Sequence, residues 1–128
     1  MAYANVTNSV TAHFPQDARA GGVRLAGPNS AGMFNAPGRV PVTFTRTTEL
    51  DHLRTFPRSF VGPLGFVAQS GGLGFAMQHR VLAQHGVGCS YVVSTGNEAD
   101  LDSFDYAEYM LNEEHSRVVV LIIEGFRD

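Results

Sequence analysis

A chain of 128 residues, 44% apolar and 16% charged, has room for one modest hydrophobic core. Its formal charge of −3 argues against non-specific nucleic-acid binding, which needs a basic face, and no apolar run approaches the length of a membrane span. A single cysteine, Cys89, excludes an internal disulfide and fits a reducing, cytoplasmic setting. All nine basic residues are arginine, a bias from which no function follows.

Residues 1–22 are small and polar with little periodicity, and "MAYANVTNSVTAHF" lacks the basic start and apolar stretch of a signal peptide. "VRLAGPNSAGMFN" (23–35) reads as a short strand, Val23 to Leu25, ending in a Gly-Pro turn. Residues 36–60 hold "VPVTFT", read as a strand, followed by an arginine-rich surface loop.

From about residue 61 the pattern becomes regular. "GPLGFVAQ" (62–69) is a short apolar strand. The helix that follows, Gly74 to Gln84, places Phe75, Met77, Val81 and Leu82 on one stripe and stops at Gly86 and Gly88. "CSYVVST" (89–95) is a second strand, ended by Gly96-Asn97. Asp100 or Asp102 caps a second helix that runs to about Asn112, with Leu101, Phe104, Tyr106, Ala107, Met110 and Leu111 as its apolar positions. "RVVVLIIEG" (117–125) is a third strand, apolar on both faces, hence expected to be buried on both. Apolar strands alternating with three-turn helices define an α/β, three-layer arrangement with a parallel sheet between helices.

In such a sheet, ligands bind beyond the carboxyl ends of the strands. Those ends are Ser70-Gly71-Gly72, Gly96-Asn97-Glu98 and Glu124-Gly125. At the first, the N–H groups of Ser70, Gly71, Gly72 and Leu73 open a helix and favour an anion such as phosphate. The same glycines serve equally to pack a helix onto a sheet, and "GGLG" is neither a dinucleotide fingerprint nor a P-loop. A flavodoxin-type site for a flavin phosphate fits this pattern as well.

Other chemistry-bearing residues read blandly. His79 and His85 lie on or after the first helix, His115 precedes the third strand, and His13 and His52 sit in polar segments; all five are expected to face solvent. Cys89 reads as a small buried hydrophobe. The cluster Glu98-Asp100-Asp102-Asp105 reads as a solvated, helix-capping group in preference to a cation site, and no zinc-like ligand spacing is present, so no metal is expected.

Four blocks in order, "GPNSAG" (27–32), "GFVAQSGGLGFA" (65–76), "VGCSYVVSTGNEADLD" (87–102) and "VVVLIIEGFRD" (118–128), resemble the NDP-forming acyl-CoA synthetases and the related α subunits of succinyl-CoA synthetase. The resemblance covers about residues 22–128. It implies a flavodoxin-like ligase domain beginning at residues 61–128, with strand order 2-1-3 and further strands beyond. It implies that residues 23–60 are the exit of a CoA-binding Rossmann-like domain and its linker, with Gly27, Pro28, Asn29 and Ser30 at the junction.

In that family, acyl-CoA, phosphate and NDP interconvert with acid, CoA and NTP through an acyl phosphate and a phosphohistidine. The resemblance makes Ser70–Leu73 the phosphate-binding helix start and Gly96, Asn97 and Glu98 part of the crevice rim. It makes Glu124 the carboxylate that hydrogen-bonds the phosphorylated histidine, which lies outside this chain. Coenzyme A, ATP/ADP with magnesium, a small carboxylic acid and a nucleotide-grasp domain or subunit are the implied cofactors and partners of the complete enzyme. None is expected to bind this chain tightly by itself, and self-association at the open sheet edge is expected. The chain departs from the succinyl-CoA pattern at Ala68, Gln69 and Ala76 and at Gly96-Asn97-Glu98, which argues against succinate. The alternative is a non-catalytic, synthetase-like binding or regulatory module, such as that of a protein acetyltransferase.

Overall fold

The computed structural model describes residues 15–45 and 60–126. The arginine-rich stretch with His52 and the N-terminal stretch with His13 lie outside the described residues. Residues 15–20 are helical, and seven further elements follow in chain order. They are β1 (Gly32–Asn35), β2 (Val40–Thr43), β3 (Val61–Ala68), α1 (Gly71–His85), β4 (Cys89–Ser94), α2 (Ser103–Asn112) and β5 (Val118–Ile122).

The three regular strands form the parallel core. β3 pairs with β4 on one side and β5 on the other, with Phe66 opposite both Val92 and Val120. The order β4-β3-β5 is the expected 2-1-3. The sheet is larger and mixed, however: its full order is β2-β1-β4-β3-β5. β1 runs antiparallel to β4, with Phe34 opposite Val92, and turns back through Ala36–Arg39 into β2. β1 carries no alternating pattern of its own. Its place is fixed by Phe34, which is 1% exposed and reaches the same cluster as Phe66 and Phe75. Val23 to Leu25, expected as a strand, is instead an unpaired extended segment held by the loop after β4.

Successive residues of β3 feed opposite faces, as the pleat requires. Phe66 packs with Phe34, Phe60, Phe75 and Val92 on the α1 side, whereas Val67 joins Val93 and Met110 on the α2 side. This is the expected three-layer sandwich. Close packing explains two glycines: a Cβ on Gly74 would lie 2.7 Å from the Ala68 Cβ, and one on Gly65 would lie 2.8 Å from the Met110 sulfur.

α1 starts three residues earlier than its apolar periodicity, because Ser70 caps it and accepts from the Leu73 N–H at 3.4 Å. Gly86 ends it with φ +63° and its N–H on the Leu82 carbonyl. Its buried positions are Gly74, Phe75 and Gln78, while Met77 is 39% exposed. In α2 the cap is Asp102, in a reciprocal capping box with Asp105. Ser103, Ala107 and Met110 are buried, and Phe104 and Leu111 face out.

β5 is not buried on both faces as expected. Among the described residues it lies at the sheet edge, paired with β3, and Val118 and Leu121 are exposed. No described helix is long and apolar enough to cross a membrane.

Candidate functional site

The connection after β3 leads into α1 on one face and that after β4 into α2 on the other. The switch point between β3 and β4 therefore opens a crevice at their carboxyl ends. All three expected rim groups lie there, and the segment Gly27–Ala31 lies with them.

That segment occupies much of the crevice. Pro28 and Gly27 carbonyls accept from the Asn97 and Ala99 N–H groups, each at 2.8 Å, and Asn29 Nδ2 donates to Asn97 Oδ1 at 3.2 Å. Ser30 Oγ donates to the Ser94 carbonyl at 2.5 Å, and the Ala31 N–H donates to Ser94 Oγ at 3.0 Å. Two glycines make this possible. Gly96, at φ +62°, has the Pro28–Asn29 backbone where a Cβ would stand, with the Asn29 carbonyl carbon 2.7 Å away. A Cβ on Gly71 would collide with the Ala31 Cβ and lie 2.9 Å from Ser94 Oγ. The group that comes close to Gly71 is thus the chain's own Ala31. Gly72 differs: nothing stands within 4 Å of its missing side chain, so the helix start is open there.

Glu98, expected as part of a solvated cluster, is buried at 8% exposure. Its left-handed backbone, φ +52°, turns the carboxylate inward. There it accepts from Thr95 Oγ1 at 2.7 Å, from Ser103 Oγ and from Gln69 Nε2 at 3.0 Å. Neutral donors alone satisfy this buried carboxylate among the described residues.

Gln69 ties that carboxylate to the end of β5. Its Oε1 accepts from the Glu124 N–H at 2.7 Å and the Gly125 N–H at 3.0 Å, while Nε2 also donates to the Gly125 carbonyl at 2.9 Å. The Gln69 N–H continues the ladder to the Ile122 carbonyl. The Glu124 backbone therefore lies against the residue before Ser70, and its side chain is exposed. In the sequence Gln69 stands out only as a departure from the succinyl-CoA pattern. The signal for its role was a lone amide closing the apolar run "GFVAQ".

Asp100 is the second buried carboxylate, its side chain fully enclosed. It clamps the N-terminal segment to the loop after β4, accepting from Arg19, from Arg24 Nε at 3.0 Å and from the Leu25 N–H at 2.7 Å. Burial pushes its pKa up, but the bonds from Arg24, Leu25 and Arg19 outweigh burial and bring it to about 2. The Arg24 guanidinium is shifted upward by the same contact.

Elsewhere the chemistry is quiet. Burial pushes the Cys89 thiol up to about 12, so the reactive thiolate is suppressed. His79, His85 and His115 are exposed, His115 lying 3.6 Å from Glu113 at the opposite rim. Among the described residues no group of three His, Cys, Asp or Glu could hold a metal ion. An apolar groove of about 360 Å³ runs between β1, β4 and α2, lined by Met33, Tyr91, Leu101, Tyr106 and Tyr109 among others.

A doubly wound, flavodoxin-like α/β unit with polar side chains and a helix start gathered at its carboxyl edge defines the class. Residues 61–128 match the family model described as the succinyl-CoA ligase like flavodoxin domain, and the chain belongs to that family. It is 34% identical over 113 residues to the alpha subunit of ADP-forming acetate–CoA ligase I of Pyrococcus furiosus, covering 88% of this chain and 22% of that one. It is 36% identical over 107 residues to ADP-forming acetate–CoA ligase I of Archaeoglobus fulgidus, covering 84% and 14%. The fold superposes on acetyl-coenzyme A synthetase 1 of Ca. Korarchaeum cryptofilum, solved with phosphate and ADP. That match has a TM-score of 0.77 at 28% identity and covers 93% of this chain and 23% of that one. The chain thus spans less than a quarter of the relatives it matches.

Proposed function

We propose that this chain is part of an NDP-forming acid–CoA ligase. Acyl-CoA and phosphate give acyl phosphate and free CoA; the phosphoryl group passes to a histidine, releasing the acid, and then to NDP, giving NTP. The histidine, the nucleotide-grasp module and most of the CoA-binding domain are assigned to chain outside these 128 residues. Residues 23–60 are read as the exit from that CoA-binding domain, with Gly27–Ser30 at the junction, and residues 61–128 as the start of the ligase domain.

The observation that carries the proposal is the juxtaposition of an open helix start with an exposed carboxylate at one rim of a domain of this family. The first-turn N–H groups at Gly71 and Gly72 lack intrahelical acceptors and are read as donors to a phosphoryl group, with the Leu73 N–H held by the Ser70 cap. The Glu124 carboxylate is read as accepting from one imidazole nitrogen, so that the other nitrogen faces phosphate in the right tautomer. Magnesium, carried by the nucleotide, enters no step assigned to these residues. The Korarchaeum relative's complex with phosphate and ADP supports the substrate classes.

The test is phosphoenzyme formation by the complete protein with γ-labelled ATP. Acid-labile label on a histidine is expected, with most of it lost in Glu124→Gln and the fold retained. Label at the wild-type rate in that variant refutes the assignment of Glu124. The 128-residue chain alone is expected to form no acyl-CoA.

A further inference from the structure

From its position between the two rim glutamates, we infer that Gln69 is a positioning residue that sets the Glu124 loop relative to the start of α1; the inference rests on the phosphohistidine reading above. Gln69 follows β3 directly and precedes the cap of α1, so its backbone is fixed by both elements. Its amide makes four hydrogen bonds. Oε1 receives two N–H groups, from Glu124 and Gly125. Nε2 gives one hydrogen to the Glu98 carboxylate and one to the Gly125 carbonyl.

This donor and acceptor set fixes the amide's orientation, because the flipped rotamer would set NH₂ against two N–H groups and oxygen against two acceptors. It also fixes the residue type. A carboxylate in this place cannot donate to Glu98, and an ammonium cannot accept from Glu124 and Gly125.

The mechanical consequence follows from the sheet edge. Beyond Ile122 the chain leaves the ladder, and Glu124 to Phe126 are exposed. Among the described contacts, Gln69 alone holds the backbone of Glu124 and Gly125. Its other end is anchored on Glu98, which is locked by Thr95 and Ser103 within the packed body of the domain. The carboxylate that orients the histidine is therefore referenced to the helix start through one side chain.

The experiment uses the complete protein and measures the rate of histidine phosphorylation from γ-labelled ATP, KM for CoA and the melting temperature. Gln69→Met keeps the bulk and removes all four bonds. It is expected to slow phosphorylation by up to about 100-fold, the scale of a 1 Å misplacement, with KM for CoA unchanged. Gln69→Glu sets a carboxylate against Glu98 and is expected to be slow too. Adding Glu98→Gln restores an amide–carboxylate pair across the same contact, while the Gly125 carbonyl stays without its donor, and is expected to recover part of the rate. Such rescue follows from the bridge, not from packing.

A wild-type phosphorylation rate in Gln69→Met, with Glu124→Gln impaired, overturns the inference and leaves the phosphohistidine reading standing. No label on any histidine of the wild-type protein fails that reading and removes the inference with it. Should Gln69→Met melt below the assay temperature, the swap decides: equal rates in Gln69→Glu with and without Glu98→Gln overturn the bridge.

Discussion

Gly71 and Gly72 are adjacent in sequence, both in the first turn of α1, and the structure gives their alanine variants opposite signs. At Gly72 a Cβ meets nothing within 4 Å. Gly72→Ala is therefore expected to stabilise by about 0.4–1 kcal/mol, through reduced freedom of the unfolded chain. At Gly71 the same Cβ overlaps the Ala31 Cβ and lies 2.9 Å from Ser94 Oγ, inside the 3.4–4 Å of ordinary contact. Neither neighbour is free to yield, since Ala31 N–H and Ser94 Oγ are bonded to each other at 3.0 Å and Ser30 holds the Ser94 carbonyl. Overpacking of this kind costs about 1–3 kcal/mol. It exceeds the gain from the unfolded state, which both variants share, so the two should differ by roughly the overpacking cost, 1–3 kcal/mol. Urea unfolding at constant m measures this as a shift in midpoint. Ala31→Gly in the Gly71→Ala background should return about 1 kcal/mol or more as coupling between touching residues. Equal midpoints for the two alanine variants, or additivity with Ala31→Gly, would show that segment 27–31 does not fill the crevice against α1.

Gln78, 2% exposed with both amide atoms lacking a hydrogen bond among the described residues, should be improved by Gln78→Met, which raises stability by about 1–3 kcal/mol; a lower melting temperature would reveal a polar partner. Asp100 is held at about 2, below the ordinary value near 4, so its contribution is present above about pH 4 and is lost as pH falls towards 2. Asp100→Asn should lower stability at neutral pH and flatten the acid-unfolding profile across that window, and an unchanged slope would refute the clamp. The exposed edge of β5, with Val118 and Leu121 outward, should drive concentration-dependent self-association in sedimentation, reduced by Leu121→Lys; a monodisperse wild-type monomer would count against it.

Periodicity and turn chemistry alone determined the repeating core of this protein. Short apolar-rich, β-branched runs at 62–69, 89–95 and 117–125, alternating with helical periods, read as strands between helices. Ser70, Gly86 and Asp102 mark helix ends through local backbone hydrogen bonds that need no tertiary partner. The same patterns placed Ser70, Gly96 and Glu124 at one rim, because topology fixes where strands end. What the tertiary structure decided were matters of neighbours distant in sequence. β1 has no periodic signal and becomes a strand because β4 offers an edge and the core a slot for Phe34. β5 reads as a strand buried on both faces, yet burial depends on what packs over each face, and among the described residues Val118 and Leu121 stay exposed. Glu98 and Asp100 read as solvated because nothing local neutralises them. They are buried because Thr95, Ser103 and Gln69 for one, and Arg19, Arg24 and Leu25 for the other, reach them; most of these partners lie far along the chain. Gly71 looked like space left for a ligand, and only the fold, by laying Ala31 against it, showed which group takes that space.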